Sequence, residues 1–431
     1  MRFRDYLKYS LPLAAIVSLA SRFYISADGY LYLSSARALF SPEFSTHYHW
    51  VREPLYPFFL WFIHNFFGAA DYFYSLANLI VLAFAASFAA WSFNFTRKIF
   101  LYFILIVFIN SITVGLAGSI LQQTLLSALV LSLIPLIYRF DSNQLDLKSF
   151  STRFKAITVT ISSLGCLLSF LFIPVVMSVL LCNIFILIIF RRFLNKERIQ
   201  KSLISKIQVR NAIVVTFVVI LPFLSWSLVK MNYAEDTFGR FKPWIGSNDF
   251  LSSFEDPKVS KLQLIGGLTS ISTDVGENTS YKSEIKIFGL GWPDTIQAEQ
   301  CGFYNDGWPE INAYAKDYVT PTCKPDLLWK FFLGIQPFSL FLFRFFIVLS
   351  PFVLIYYVMR RKYSKALIYL PIITTFSVYF FFGMGISRYL YAIWPATVFF
   401  FLTLFERPIN DESHAPLHPH KKKHNRKARL R

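Results

Sequence analysis

The chain has 431 residues, of which 55% are hydrophobic and 19% aromatic, and its mean hydropathy is +0.46. A soluble globular protein rarely reaches such values. Apolar windows of about 20 residues, long enough to cross a bilayer as helices, recur along the whole chain. The composition therefore argues against a soluble protein and predicts a polytopic helical membrane protein.

The formal net charge of +18 raises nucleic-acid binding as an alternative, but the positions of the charges favour another explanation. Short loops rich in Lys and Arg remain on the cytoplasmic side of a membrane, beside anionic lipid. We interpret the basic clusters as such topology signals. They lie at 96–98, 148–155, 191–210, 359–365 and 420–431.

Placing every basic cluster in the cytoplasm predicts about ten spans, with both termini cytoplasmic. The predicted spans are 9–26, 72–94, 99–116, 119–138, 156–174, 175–190, 211–230, 336–358, 365–382 and 388–406. The fifth and sixth form one long apolar run, which we divide near Pro174 because proline favours a break. The first is interpreted as a retained span, since no small-residue cleavage site follows it.

This topology predicts an all-α bundle with four parts. An N-terminal transmembrane module, 1–230, contains a first outer loop at 26–71. A large outer loop covers 231–335, further transmembrane helices cover 336–406, and a basic cytoplasmic tail covers 407–431. The segment 54–68 is short for a span and rich in aromatic residues, so we predict an interfacial or re-entrant helix within the first outer loop.

Two of the four cysteines, Cys301 and Cys323, fall in the large outer loop. In an oxidising compartment they would form a disulfide, and the alternative is a pair of free thiols. Cys166 and Cys182 fall within predicted spans, where cysteine packs as a small apolar residue. The spacing of Cys and His does not match a metal site.

Several charged and polar residues are predicted at the outer membrane surface. Asp28 follows the first span, and His47 and His49 precede the adjacent pair Arg52 and Glu53. Arg388 begins the last span. Each has a structural explanation when taken alone: a helix end, a solvated ion pair, polar interfacial residues or a lipid anchor.

Taken in order, these segments resemble the GT-C superfamily of polytopic glycosyltransferases. The stretch DGYLYLSSARALF, from Asp28, resembles the family's pattern of an acid, a tyrosine and an Ala-Arg pair after the first span. REPLYPFFLW, from Arg52, resembles its Pro-Leu-Tyr-Pro segment. SRYLYAIWPATVFFF, which contains Arg388 and Tyr389, resembles the opening of a late span. The resemblance covers about 60 residues at the start and about 20 near the end.

The resemblance implies transfer of a sugar from a polyprenyl-phosphate or diphosphate donor to a glycan, lipid or protein acceptor, with inversion. It implies Asp28 as the catalytic base, and Arg52 and Arg388 as ligands of the donor phosphate, because arginine binds phosphate in a bidentate manner. Further candidates for substrate binding are Glu53, Tyr56, Tyr389, His47 and His49. No cofactor is assigned, a divalent metal is left open, and no metal ligands are assigned.

One departure from the family pattern concerns a second acid, which many members carry next to the first. Here Ala27 and Gly29 flank Asp28, so Glu43 or Glu53 would have to supply the second carboxylate.

The predicted location is the inner (plasma) membrane, with the site on the periplasmic or extracytoplasmic face. Two alternatives remain. A glycan polymerase or ligase would use similar lipid-linked substrates. A lipid or glycan transporter would place polar groups in the membrane, and the sequence Gln122-Gln123-Thr124 is the best candidate for such a group.

The topology gives a first testable prediction. A reporter fused after Arg431 should lie in the cytoplasm, and one inserted near Gly276 should lie outside it, because the basic loops fix the orientation. The orientation is measured with two reporter enzymes fused at each position, one active only in the cytoplasm and the other active only outside it. The reverse pattern would move Asp28 to the wrong face for a lipid-linked sugar at the outer leaflet.

Overall fold

The computed structural model describes residues 1–21, 27–49, 53–118, 120, 122–141, 152–168, 220–229, 314–315, 318–320, 326–360, 365–366, 369–370, 372–373 and 391–405. Within these residues the regular secondary structure is helical, and a single isolated β-bridge joins two segments. The all-α prediction is confirmed for this part of the chain.

The helices are named here in chain order. They are α1 (Phe3–Ala20), α2 (Ala27–Ala38), α3 (Phe44–His47), α4 (Leu55–Phe67), α5 (Asp71–Ser92), α6 (Arg97–Phe108), α7 (Ser111–Gly118), α8 (Gln123–Asp141), α9 (Thr152–Leu168), α10 (Ile220–Val229), α11 (Asp326–Gly334), α12 (Gln336–Met359) and α13 (Trp394–Leu402).

Two described helices are long and apolar enough to cross a membrane: α5, and α12 from Phe341 to Met359. Helices α6 and α7 pass the same test together, although a break between them bends the pair by 58°. The predicted spans at 72–94 and 336–358 coincide with α5 and α12. Helix α1 begins earlier than the predicted 9–26, and the predicted span at 175–190 lies outside the described residues.

Helices α1 and α5 pack against each other through small side chains. The hydroxyls of Ser10 on α1 and Ser87 on α5 lie 2.8 Å apart and are hydrogen-bonded. Ala14 on α1 and Ala83 and Ala86 on α5 are fully buried. Small residues let two helix backbones approach closely, which is the usual basis of helix association within a membrane.

The break between α6 and α7 is stabilised by hydrogen bonds of polar side chains. Asn110 accepts a bond from the Ile112 amide at 2.9 Å and donates to the Ser339 carbonyl at 3.2 Å. The Ser339 hydroxyl accepts from the Ser111 amide at 3.1 Å. These bonds satisfy backbone amides that a new helix leaves without a carbonyl partner. The sequence predicted one span at 99–116, and the capping by Asn110 explains why it is bent.

The start of the last described helix is fixed to α7 and α8 by two buried hydrogen bonds. The Tyr391 hydroxyl donates to Thr113 at 3.0 Å, and the Ser127 hydroxyl donates to the Tyr391 carbonyl at 2.9 Å. About two turns further on, Phe399 of α13 stacks on Phe95 with ring centroids 4.8 Å apart. The last segment of the chain therefore closes the core formed by the first half.

Helix α4 has one buried and one exposed apolar face. Tyr56, Leu60 and Ile63 are buried, whereas Phe62 is partly exposed and Phe66 is 66% exposed. The helix ends at Gly68, whose φ of 101° lies in the left-handed region that glycine adopts without strain. A helix was predicted at 54–68, and the structure gives Leu55–Phe67. An apolar face this exposed is typical of a surface that contacts lipid or another protein.

The break gives a second testable prediction. Ser339→Ala should lower the free energy of unfolding by about 1–3 kcal/mol, because it leaves the buried Ser111 amide without its acceptor. Thermal unfolding of the purified protein in detergent measures the effect. Ser227→Ala is the matched control, because the Ser227 hydroxyl bonds only a carbonyl of its own helix in the described contacts, at Phe223. Equal effects of the two substitutions would contradict a special role for Ser339.

Candidate functional site

The predicted catalytic residue, Asp28, lies in the first turn of α2. Tyr32 follows four positions later in the same helix. It packs edge-to-face on Tyr56 of α4, with ring centroids 4.9 Å apart, and both tyrosines are buried. Helices α2 and α4 thus form a packed pair, with Asp28 near one end of it.

Glu53 is a buried carboxylic acid beside this pair, with 8% of its surface exposed. Tyr48 is a buried phenol of the same region. Burial, and after it the charges of Glu53 and Tyr32, raise the pKa of Tyr48. Burial likewise raises the pKa of Tyr30 to about 12. Of the two acids considered as a partner for Asp28, Glu53 is buried in the site and Glu43 is exposed.

The two predicted histidines hold the chain between α3 and α4 against neighbouring segments. The His49 amide donates to the Ser35 hydroxyl at 3.0 Å, and the His47 carbonyl accepts from Ser34 at 2.9 Å. The His47 ring stacks on Tyr314, with centroids 4.1 Å apart. In these contacts both histidines position the backbone relative to α2.

Tyr314 belongs to a short segment, here called the pre-α11 segment, of which residues 314–315 and 318–320 are described. Arg37 of α2 donates to the Tyr314 carbonyl at 2.5 Å, and its guanidinium lies 4.7 Å from the centre of the Tyr314 ring. Burial and a hydrogen bond with Glu43 raise the pKa of the Tyr314 phenol. Arg37 was recognised only as part of a motif, and the structure shows that it links two distant parts of the chain.

A second pair of stacked rings holds the pre-α11 segment against α4. His64 lies on Tyr318, with centroids 4.0 Å apart and planes inclined by 11°. Burial lowers the pKa of His64, a hydrogen bond to the Tyr318 carbonyl opposes that effect, and the charge of Arg37 adds to it. The Tyr74 hydroxyl lies 3.4 Å from Nδ1 of His64. The folded state disfavours the charged imidazole of His64. The stacking of His64 on Tyr318 therefore weakens as the pH falls below the ordinary His pKa of about 6.5.

The isolated β-bridge completes the connection between the two segments. Ala70 pairs in parallel with Thr320: the Asp71 amide donates to the Thr320 carbonyl at 3.0 Å, and the Thr320 amide donates to the Ala69 carbonyl at 2.7 Å. Asp71 begins α5 and is 1% exposed. A negative charge in the first turn of a helix is stabilised by the helix dipole.

Asp71, Tyr48, His64 and Tyr318 were not predicted as site residues. Asp71 carried a usable signal, because it directly precedes an apolar run, as Arg52 and Glu53 do. The contacts of His64 and Tyr318 had no sequence signal, because residues more than 200 positions apart meet only in the folded chain.

The other predicted site residues are not placed by the structure. Arg52, Arg388, Tyr389, Cys301 and Cys323 lie outside the described residues. Cys166 is described and is a buried free cysteine. In the part of the chain that is described, no group of three or more His, Cys, Asp or Glu side chains could hold a metal ion.

The geometry therefore consists of a buried acid, Glu53, and several buried phenols around the α2–α4 pair, closed by the pre-α11 segment. Comparison of this chain with family models, with characterised proteins and with solved structures gives no match.

Proposed function

We propose that this chain is an integral-membrane glycosyltransferase of the GT-C type, which transfers a sugar from a polyprenyl-phosphate or diphosphate donor at the extracytoplasmic face. The observation that carries the proposal is the cluster around α2 and α4. It combines Asp28 in the first turn of α2, the buried carboxyl of Glu53 and the buried rings of Tyr32 and Tyr56. These are residues that the motifs had selected.

The membrane setting of the proposal includes the ten spans and the cytoplasmic termini predicted from the basic clusters. The exposed phenylalanines of α4 support an interfacial position for this helix, with its apolar face in the outer leaflet. That position would bring the α2–α4 pair to the level of a lipid-linked phosphate.

The proposed reaction is a single displacement at the anomeric carbon. The acceptor hydroxyl or amide attacks this carbon, Asp28 accepts the proton, and the bond to the donor phosphate breaks with its electrons on the phosphate oxygen. Arg52 and Arg388 would bind the phosphate and stabilise the charge that develops there. Glu53 is the better candidate for a second carboxylate, because it is buried where Glu43 is exposed.

Two alternatives remain, and one has a specific observation in its favour. A glycan polymerase or ligase would use the same lipid-linked chemistry. A transporter is supported by the broken pair of helices α6 and α7, since discontinuous helices line the binding sites of many transporters. The break is capped by Asn110 and Ser339, however, so it has a sufficient structural explanation. Substrate movement across sealed vesicles without formation of a glycosidic bond would favour the transporter.

The role of Asp28 gives a third testable prediction. Asp28→Asn should insert normally and reduce the rate of transfer about a hundredfold or more, because the amide cannot accept a proton from the acceptor. Asp28→Glu should recover little, since one added methylene displaces the carboxylate.

The measurement is transfer from a lipid-linked donor in membranes with matched expression. Asp5→Asn is the control, because Asp5 caps the start of α1, at the predicted cytoplasmic end. Turnover near the wild-type rate for Asp28→Asn would remove the catalytic base from the proposal.

The phosphate ligands give a fourth testable prediction. Arg52→Ala and Arg388→Ala should each weaken use of the donor by about 2 kcal/mol, the loss expected for a charge-assisted contact. Lysine at either position should restore only part, because a point charge lacks the planar fork. The ratio kcat/KM for the donor measures this. Arg97→Ala is the control, because Arg97 packs over the ring of Tyr9 at the predicted cytoplasmic end. Normal use of donor by both Ala variants would make Arg52 and Arg388 lipid anchors.

A further inference from the structure

Two buried polar groups near the candidate site have no hydrogen-bond partner among the described residues. One is the hydroxyl of Tyr318 in the pre-α11 segment, whose residue is 7% exposed. The other is the side-chain amide of Asn78 on α5, which is fully buried and lacks a partner at both its oxygen and its nitrogen. Buried polar groups in folded proteins are nearly always paired, so an unpaired set indicates a missing ligand or water.

Tyr74 places these two groups in one region. The Tyr74 hydroxyl lies 3.4 Å from Nδ1 of His64, and the His64 ring stacks on the ring of Tyr318. Asn78 follows Tyr74 by four positions on α5, so the two side chains lie on the same face, one turn apart. The amide is therefore one turn deeper along α5 than the Tyr74 side chain.

The opposite face of α5 is occupied by α1. Ser87 bonds Ser10 of α1, and Asn78 lies about two and a half turns before Ser87, which places it on the other side of α5. Helices α4, α7 and α8 also pack against α5. Asn78 thus lies on the face of α5 opposite the one that bonds α1.

The chemistry of the unpaired groups selects the ligand. In either orientation the Asn78 amide presents one donor and one acceptor, and a phenol can donate or accept. A phosphate offers only acceptors and would leave the amide oxygen unpaired, whereas a metal cation would leave the amide nitrogen unpaired. A hydroxyl can both donate and accept, so it satisfies every group.

We propose that Tyr318 and Asn78, with Tyr74 between them, form a pocket that binds a neutral, hydroxyl-bearing group, namely the sugar ring of the lipid-linked substrate. The proposal rests on the proposed function for the identity of the substrate. Ordered water has the same hydrogen-bonding chemistry, and the experiment must distinguish the two. The groups that line this pocket are uncharged, so it would bind the sugar and not the phosphate of the lipid carrier.

The unpaired groups should respond to substitution in a way that paired groups do not. Tyr318→Phe removes a hydroxyl that has no described partner, so the midpoint of thermal unfolding should stay the same or rise in ligand-free protein. Tyr391→Phe is the matched control, because it removes a buried hydroxyl that bonds Thr113, and its midpoint should fall. Asn78→Leu should behave as Tyr318→Phe does. A fall of the Tyr318→Phe midpoint equal to that of the control would show a paired structural hydroxyl and overturn the proposal.

Binding then separates sugar from water. The probes are farnesyl phosphate, farnesyl phosphate linked to glucose, mannose or galactose, and the methyl glycosides of the same three hexoses. For the wild type, at least one hexose should strengthen binding of the farnesyl carrier. Tyr318→Phe and Asn78→Leu should each reduce that advantage about tenfold, since a site that bonds a hydroxyl discriminates strongly when the bond is lost. Their affinity for farnesyl phosphate alone should not change.

The outcomes test the pocket and the proposed function separately. In one outcome no farnesyl probe binds, but a methyl glycoside raises the unfolding midpoint of the wild type and not that of Tyr318→Phe. This result would contradict the proposed donor and support the pocket. Binding of farnesyl phosphate with no added effect of any hexose would keep the donor phosphate and leave water as the occupant. The absence of any added effect of a hexose overturns the sugar pocket. So does a gain in affinity from the hexose that is the same in both variants as in the wild type.

Discussion

The arrangement of the candidate site depends on the docking of the pre-α11 segment onto the first part of the chain. The bridge between Ala70 and Thr320 aligns the two segments, since two backbone hydrogen bonds fix the position of one relative to the other. Two stacked pairs of rings, His47 on Tyr314 and His64 on Tyr318, then hold α3 and α4 to the same segment. These contacts join residues that are about 250 positions apart, so a distant part of the chain is docked onto the packed pair of α2 and α4.

A second constraint is the apolar setting, in which a polar group without a partner is costly. Most buried polar side chains near the break in α6 and α7 meet this constraint within the protein. Asn110 and Ser339 bond the amides at the start of α7, and Tyr391 bonds Thr113. The Asn78 amide and the Tyr318 hydroxyl, which both lie near Tyr74, have no hydrogen-bond partner among the described residues.

The enzyme and transporter proposals place function in different parts of this structure. The enzyme needs groups at one end of the bundle, where the buried acid Glu53 and the tyrosines of α2 and α4 lie. The transporter needs a polar path through the bundle, and the bent pair α6 and α7 is the described element that fits it. Buried groups without a partner among the described residues occur in both parts: the Ser111 hydroxyl at the bend and the side-chain oxygens of Gln123 and Thr124 on α8, and Asn78 and the Tyr318 hydroxyl near the candidate site. The case for the enzyme therefore rests on the buried acid Glu53 and the buried tyrosines of α2 and α4.

The sequence by itself determined the helical character of the chain and the positions of α4, α5 and α12. Long apolar runs can satisfy their backbone groups in a membrane only as helices, and Gly68 marks the end of α4. It also selected Asp28, Glu53 and Tyr56 from charges and motifs. Only the tertiary structure decided that Glu53 is buried and Glu43 exposed, that Asn110 bends a predicted span, and that Asp71, His64 and Tyr318 belong to the site. These outcomes depend on contacts between distant residues, and hydropathy and local spacing contain no information about which distant segments meet.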